Sequence, residues 1–283
     1  MTTAFTAALP RRWPLPAGGC DCHVHIYDLD RHPLPQASPV SPPRATWSDY
    51  LALRARLGLS RCVIVQPMGY GFDNACTLSA LRAARGSARA IVSMPAHVPD
   101  TELARWARAG VVGVRFQMLP GSGSLLSWAD LPGIARRIAA LDWHINLQLD
   151  GRTLPDREAL LARLPCRVVI DHVGKFLEPV PTRHPAFASL LRLLDTGKVW
   201  VKLSAMYETS HAGAPTYQDV GRLAEALVRH RPERCLWASN WPHPGQLERP
   251  DDRGLLALLD TWCPSASVRD QILEGNPAQL YGF

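Results

Sequence analysis

His23 and His25, in the stretch CDCHVHIYD, are the first residues along the chain whose spacing suggests chemistry. On a strand, side chains two apart project to the same face. Two imidazoles converging inside a protein are costly unless hydrogen-bonded or bound to something, so the pair points to metal binding or acid–base work, with a packed and satisfied core pair as the plain alternative. His172 and Lys175 follow an apolar run in RVVIDHVGK, and Arg115 and Lys202 interrupt the runs VVGVRFQM and KVWVKLS. A buried cation needs an anionic partner, which here means a substrate carboxylate or a buried Asp. Asp171 precedes an inward His by one residue, so it is expected to face the helices in a structural role. The last run, RCLWASN, ends on Asn240, where proton transfer would more readily use a carboxylate. An amide hydrogen-bonds but takes up no proton at neutral pH.

The elements that must position these residues follow from the apolar pattern. Eight short runs are rich in Val and Ile and mostly do not alternate: CDCHVHIYD, RCVIVQP, RAIVSMP, VVGVRFQM, WHINLQLD, RVVIDHVG, KVWVKLS and RCLWASN. Such runs read as strands buried on both faces. Amphipathic stretches fill the gaps, among them TWSDYLALRARLG, with a Thr/Ser start and a Gly stop, and YQDVGRLAEALVRH. Eight strand–helix units give an α/β fold, a (β/α)8 TIM barrel. No compositional shift divides the chain, so residues 1–283 are expected to form one domain. The proline-rich stretch 31–47 reads as a long loop over the end of the first strand. Function in such a barrel sits at the C-terminal strand ends, which adds Asp21, Gln66, Gln117, Gln148, Asp150 and Ser204 to the polar residues already named.

Composition narrows the field of partners. The formal charge is +6, yet the basic residues are scattered and almost all Arg, so they read as a solvated surface and not as a nucleic-acid footprint. Part of the excess would draw anions toward a cleft. Seven cysteines without zinc-like pairs suggest reduced thiols and a cytoplasmic protein. The first 19 residues are broken by prolines and lack the apolar core of a signal peptide. No stretch reaches the roughly 20 apolar residues of a membrane span. A homo-oligomer is compatible with the sequence, which does not specify one.

DCHVH resembles the first-strand signature of the amidohydrolase superfamily, VIDHVGK its sixth-strand signature, and WASNWPHP its eighth-strand stretch. The resemblance runs nearly end to end. Within the superfamily the chain is most similar to the lactone-processing group of D-galactarolactone isomerases and 2-pyrone-4,6-dicarboxylate lactonases, through RFQMLPGSG, LQLDGR, DHVGKF, KLSAMYETS and PERCLWASNWPH. The isomerases, the closer match, also carry Asn at the position of Asn240. They lack the first histidine of the strand-one pair, which is present here. The additional arginines of the pyrone lactonases are absent from MLPGSG and SAMYE.

The resemblance implies catalytic roles for His23, His25, His172 and Asn240, and substrate contacts from Arg115, Gln148, Lys175, Lys202 and Tyr207. Metal-dependent members use the strand-one pair, later histidines and a strand-eight Asp. With Asn240 in the last place and no anionic ligand evident, the expectation is a site with no metal and no cofactor. The expected reaction is attack on the ester carbonyl of a small anionic lactone, isomerising the ring. Asn240 would spare the lactone from hydrolysis by withholding a base for water. A lactone hydrolase and a non-catalytic sugar-acid-binding barrel are the alternatives.

Overall fold

The computed structural model describes residues 12–35 and 42–283. Eight parallel strands form one sheet in sequential order: β1 Cys20–Val24, β2 Arg61–Val65, β3 Ala88–Val92, β4 Val111–Gln117, β5 His144–Gln148, β6 Arg167–Ile170, β7 Val199–Leu203 and β8 Cys235–Trp237. Helices lie between them: α1 Trp47–Leu57, α2 Ala75–Ala83, α3 Asp100–Ala109, α4 Leu131–Ala139, α5 Leu154–Arg163, α6 Pro185–Asp195 and α7 Gln218–His230, with α8 Asp252–Trp262, α9 Ala266–Asp270 and α10 Asn276–Tyr281 after β8. This is the expected barrel. The Thr/Ser start and Gly stop of α1 are a capping box between Thr46 and Asp49 and a left-handed Gly58, which satisfy end groups the helix itself leaves open.

The strands are buried on both faces, which explains their unbroken apolar runs. Val63, Val65, Val169, Trp200, Leu236 and Ala238 pack together inside the barrel. Their neighbours Cys62, Ile64, Ile170, Val201 and Trp237 join the outer core with the helices. In β1 the alternation slips. Cys20 and Cys22 belong to the inner cluster, Val24 to the outer one, and the register with β2 shifts between Asp21 and Val24. Such irregularities re-aim side chains near active sites, and here His23 and His25 turn inward.

The seam between β1 and β8 is closed partly by the chain beyond β8. Asn240 N donates to His23 O (3.0 Å) and His25 N to Trp241 O (2.7 Å). Asp21, fully buried, accepts from Ser239 N (2.9 Å) and Ser239 Oγ (2.6 Å) across the same seam. Of the proline-rich loop, residues 36–41 lie outside the described residues. Its two flanks are tied by paired hydrogen bonds between Tyr27 and Ala45, and Pro42 reaches the cavity at the C-terminal strand ends.

Burial pushes the Asp21 carboxyl up to about 6, against the opposing pull of its bonds from Ser239. The folded chain therefore holds a proton that the unfolded chain releases near pH 4. Stability from this group is fully present below about pH 4 and lost as pH rises through 6. Denaturant titrations across that window should show wild type losing on the order of 3 kcal/mol relative to Asp21→Asn. Parallel curves for the two proteins would exclude Asp21 as the source.

Candidate active site

Three backbone corners in the left-handed region aim side chains into the barrel mouth. His172, Val173, Gly174 and Lys175 follow β6 with φ of 57°, 57°, 85° and 43°. Ala205 after β7 has φ 52°, and Asn240 after β8 has φ 64°. Non-glycine residues hold this conformation at a cost on the order of 1 kcal/mol each, and Val173, being β-branched, is an outlier there. Close packing steadies the first corner. Gly151 N donates to Lys175 O, and a Cβ on Gly151 would lie 2.5 Å from Gly174 O.

The corners surround a cavity of about 400 Å3 whose wall includes His25, Arg115, His172, Lys175, Glu208 and Asn240. Gln117 and Gln148 also line it. His23, Lys202 and Tyr207 are outside this lining. Lys202 is fully buried, and its ammonium donates to His23 Nδ1 (3.0 Å) and to Asn146 Oδ1 while lying 3.1 Å from Asp171 Oδ1. The expected contact of Lys202 with substrate is thus replaced by a protein-internal one. Asp171 is likewise inside the barrel and not facing the helices. With Val169 inward and Ile170 outward, strict alternation carries Asp171 inward, and the left-handed turn then brings His172 in beside it.

This buried cation fixes the histidines. His23 Nδ1 accepts from Lys202, so its proton sits on Nε2, 3.2 Å from His25 Nε2. His25 Nδ1 donates to the Val65 carbonyl (2.8 Å), which leaves its Nε2 as the acceptor. The strand-one pair is therefore satisfied by the protein. Burial, reinforced by Lys202 at His23 and by Arg115 at His25, holds both imidazoles well below the ordinary histidine range, and burial does the same to His172. Asp171 is kept ionised: burial opposes its charge, but the Lys202 ammonium beside it outweighs that cost. His172 Nδ1 meets Ser204 Oγ (2.8 Å), and its Nε2 is left for the cavity.

Arg115 stands apart from these pairs. Its guanidinium is buried and its Nη1 donates to Gln66 O (2.6 Å), but its Nε has no partner and no carboxylate among the described residues ion-pairs with it. Gln66 and Asp150 serve structure: Gln66 bonds Gly71 O, Asp73 O and Thr77, and Asp150 caps the turn at Arg152. Lys175, drawn down to about 8 by burial, pairs with Glu208.

Glu208 is the cavity residue that the strand-end reading missed. It lies in a turn beyond β7, and Ala205 bends the chain to bring it back. The cavity thus has a carboxylate after all, which corrects the expectation that Asn240 leaves it without one. Asn240 Nδ2 donates to Glu208 Oε1 (3.0 Å) and to Tyr207 OH (2.9 Å). Behind Tyr207, His243 Nδ1 lies 2.8 Å from its hydroxyl and His243 Nε2 lies 3.0 Å from Asp252 Oδ1. Both amide hydrogens of Asn240 are used, so Oδ1 is the atom left to accept from a ligand. Tyr207 holds Asn240 from behind.

His23, Asp171 and His172 bring one donor atom each within 4.8 Å of one another, as three metal ligands would, and Asp171 Oδ1 has no well-aligned hydrogen bond. An anionic donor is therefore present, contrary to the sequence expectation. The set still does not fit a divalent ion, because the Lys202 ammonium already lies against two of the three donors. A doubly charged ion about 4 Å from that ammonium would meet roughly 8 kcal/mol of repulsion at an effective dielectric near 20.

A family model described as amidohydrolase matches residues 20–283. The chain is 35% identical over 271 residues to a D-galactarolactone isomerase of Agrobacterium fabrum, covering 94% of this chain and 91% of that one. It is 34% identical over 281 residues to a 4-sulfomuconolactone hydrolase of Rhizobium radiobacter, covering 96% of this chain and 93% of that one. The apo crystal structure of an Agrobacterium tumefaciens protein superposes with a TM-score of 0.89 at 32% identity, covering 97% of this chain and 99% of that one.

If the ammonium excludes metal, zinc should leave the melting temperature of the wild-type chain unchanged. Lys202→Met should lose about 3–5 kcal/mol by stranding Asp171 and regain part of it on zinc addition. Equal stabilisation of both proteins by zinc would contradict this account.

Proposed function

The chain belongs to the amidohydrolase family, and from that premise we propose that it acts on the ester carbonyl of a small carboxylated lactone, moving the lactone ring from one hydroxyl to another. The observation that carries this reading is Arg115, a buried guanidinium open to the cavity with no carboxylate partner among the described residues. A buried unpaired cation is costly, and a substrate carboxylate completes it. The two relatives are named for lactones that bear acid groups, which agrees with an anionic substrate.

The remaining groups suit the reaction. Arg115 anchors the carboxylate. His172 Nε2 and the Lys175 ammonium face the carbonyl, where each well-placed donor to a developing oxyanion contributes on the order of 3–4 kcal/mol. Gln148, the unpartnered Gln117 Oε1 and Asn240 Oδ1 accept from sugar-acid hydroxyls. A hydroxyl held beside its own ester attacks within one molecule, where effective molarities greatly exceed those of a free reactant. The new C–O bond forms as the ring C–O bond breaks, and the proton lost by the attacking oxygen is returned to the leaving one. No water is consumed.

Hydrolysis is the second reading, and Glu208 is the observation in its favour, since a carboxylate facing the cavity can also activate water. Residues from both ends of the described chain converge on one site, which supports a single catalytic domain. No helix among the described residues is long and apolar enough to cross a membrane, and seven free, buried thiols agree with a reducing, cytoplasmic setting.

Carbon NMR of an aldaric lactone incubated with the protein separates the readings: a new lactone supports isomerisation, the open diacid supports hydrolysis, and an unchanged substrate supports a binding protein. Turnover should survive dialysis against chelator. Arg115→Met should cost carboxylated lactones about 1.5–3 kcal/mol in kcat/KM and spare neutral ones. Equal losses on both would make Arg115 structural.

A further inference from the structure

Among the cavity groups, the strand-one histidines have no free role as proton acceptors. His23 lies beneath the lining with both nitrogens engaged, and His25 Nε2 faces the Nε2 proton of His23. His172 keeps one open nitrogen, but its burial disfavours the protonated ring. Glu208 is differently placed. Its Oε2 pairs with Lys175, its Oε1 accepts from Asn240 Nδ2 at 3.0 Å, and the residue lines the cavity with both of them.

We propose that Glu208 is the proton-transfer residue of this site, and that position 240 is an amide because it must donate to that carboxylate. The proposal rests on the lactone reading above. Glu208 accepts the proton of the attacking hydroxyl as the new C–O bond forms. It returns that proton to the ring oxygen as the old C–O bond breaks, and ends as it began. Lys175 beside it supports the oxyanion. A carboxylate at position 240 would instead face Glu208 at hydrogen-bond distance. Two carboxylates so placed cannot both ionise freely, and the donor that orients Glu208 would be gone. The lone substitution Asn240→Asp is therefore expected to impair the site and not to restore a base to it.

The tests are Glu208→Gln, Asn240→Asp, the double variant carrying both, and Glu208→Ala, each with kcat and KM measured on a lactone the wild type converts. Glu208→Gln should lose about 100-fold or more in kcat, the scale of general acid–base catalysis, with KM changed less than about 3-fold. The double variant exchanges carboxylate and amide, and should exceed either single variant by about 10-fold. Formate, as a free carboxylate, should rescue Glu208→Ala, a response that a merely structural role would not give and that does not depend on the Gln variant folding. Wild-type turnover with undiminished kcat in Glu208→Gln, or with no formate rescue and no recovery in the double variant, would overturn the assignment while leaving the lactone reading intact. A wild-type chain that converts no lactone would overturn both.

Discussion

An ammonium is tolerated in a protein interior only where acceptors and negative charge surround it. Lys202 meets that condition among His23, Asn146 and Asp171 at the floor of the barrel mouth. The rest of the site depends on this contact. It keeps Asp171 ionised, sets the proton of His23 on Nε2, and through His23 leaves His25 with a defined tautomer. It also places a positive charge where a divalent cation would otherwise be drawn, so the floor has its cation within the chain itself. The upper layer is left for a ligand, with Arg115 unpaired and Lys175 held against Glu208.

The upper layer also shows that a site's charge inventory is settled in space and not at one strand end. The strand-eight position carries an amide, and the carboxylate arrives from the turn after β7. Asn240 links the two sides of the cavity, with Glu208 in front and the Tyr207–His243–Asp252 series behind. That series is built almost entirely from buried or half-buried groups, so its hydrogen bonds act in a medium less polar than water, where orientation is better defined.

Most of the fold was legible because each signal was local. Apolar runs marked all eight strands, and the Thr/Ser start and the Gly stop bounded the first helix. His25, Arg115, His172, Lys175 and Asn240 were likewise readable as a converging set, because strand ends in a barrel share one rim. Asp171 was misplaced for want of the strand's phase: Val169 had to be known as inward before Asp171 could be. Lys202 looked like a substrate contact because sequence does not reveal depth along the barrel axis. Glu208 was hidden because it follows a left-handed Ala205 that no alanine advertises. The nearest signal was an acidic residue a few positions past β7, in the same short stretch as Tyr207.

The β1–β8 seam has a consequence for how the protein acquires competence. The hydrogen bonds that join its two sides run from the backbone of Asn240 to that of His23 and from His25 to Trp241, so the closing stitches and the working residues are the same segment. These partners are more than 200 positions apart in the chain, and contacts between such distant segments carry a large loop-closure cost until the intervening structure has formed. A barrel with seven strands assembled and this seam open would have most of its secondary structure and none of its pocket. During refolding, circular dichroism would therefore recover before ligand binding, and the site would report the last act of assembly.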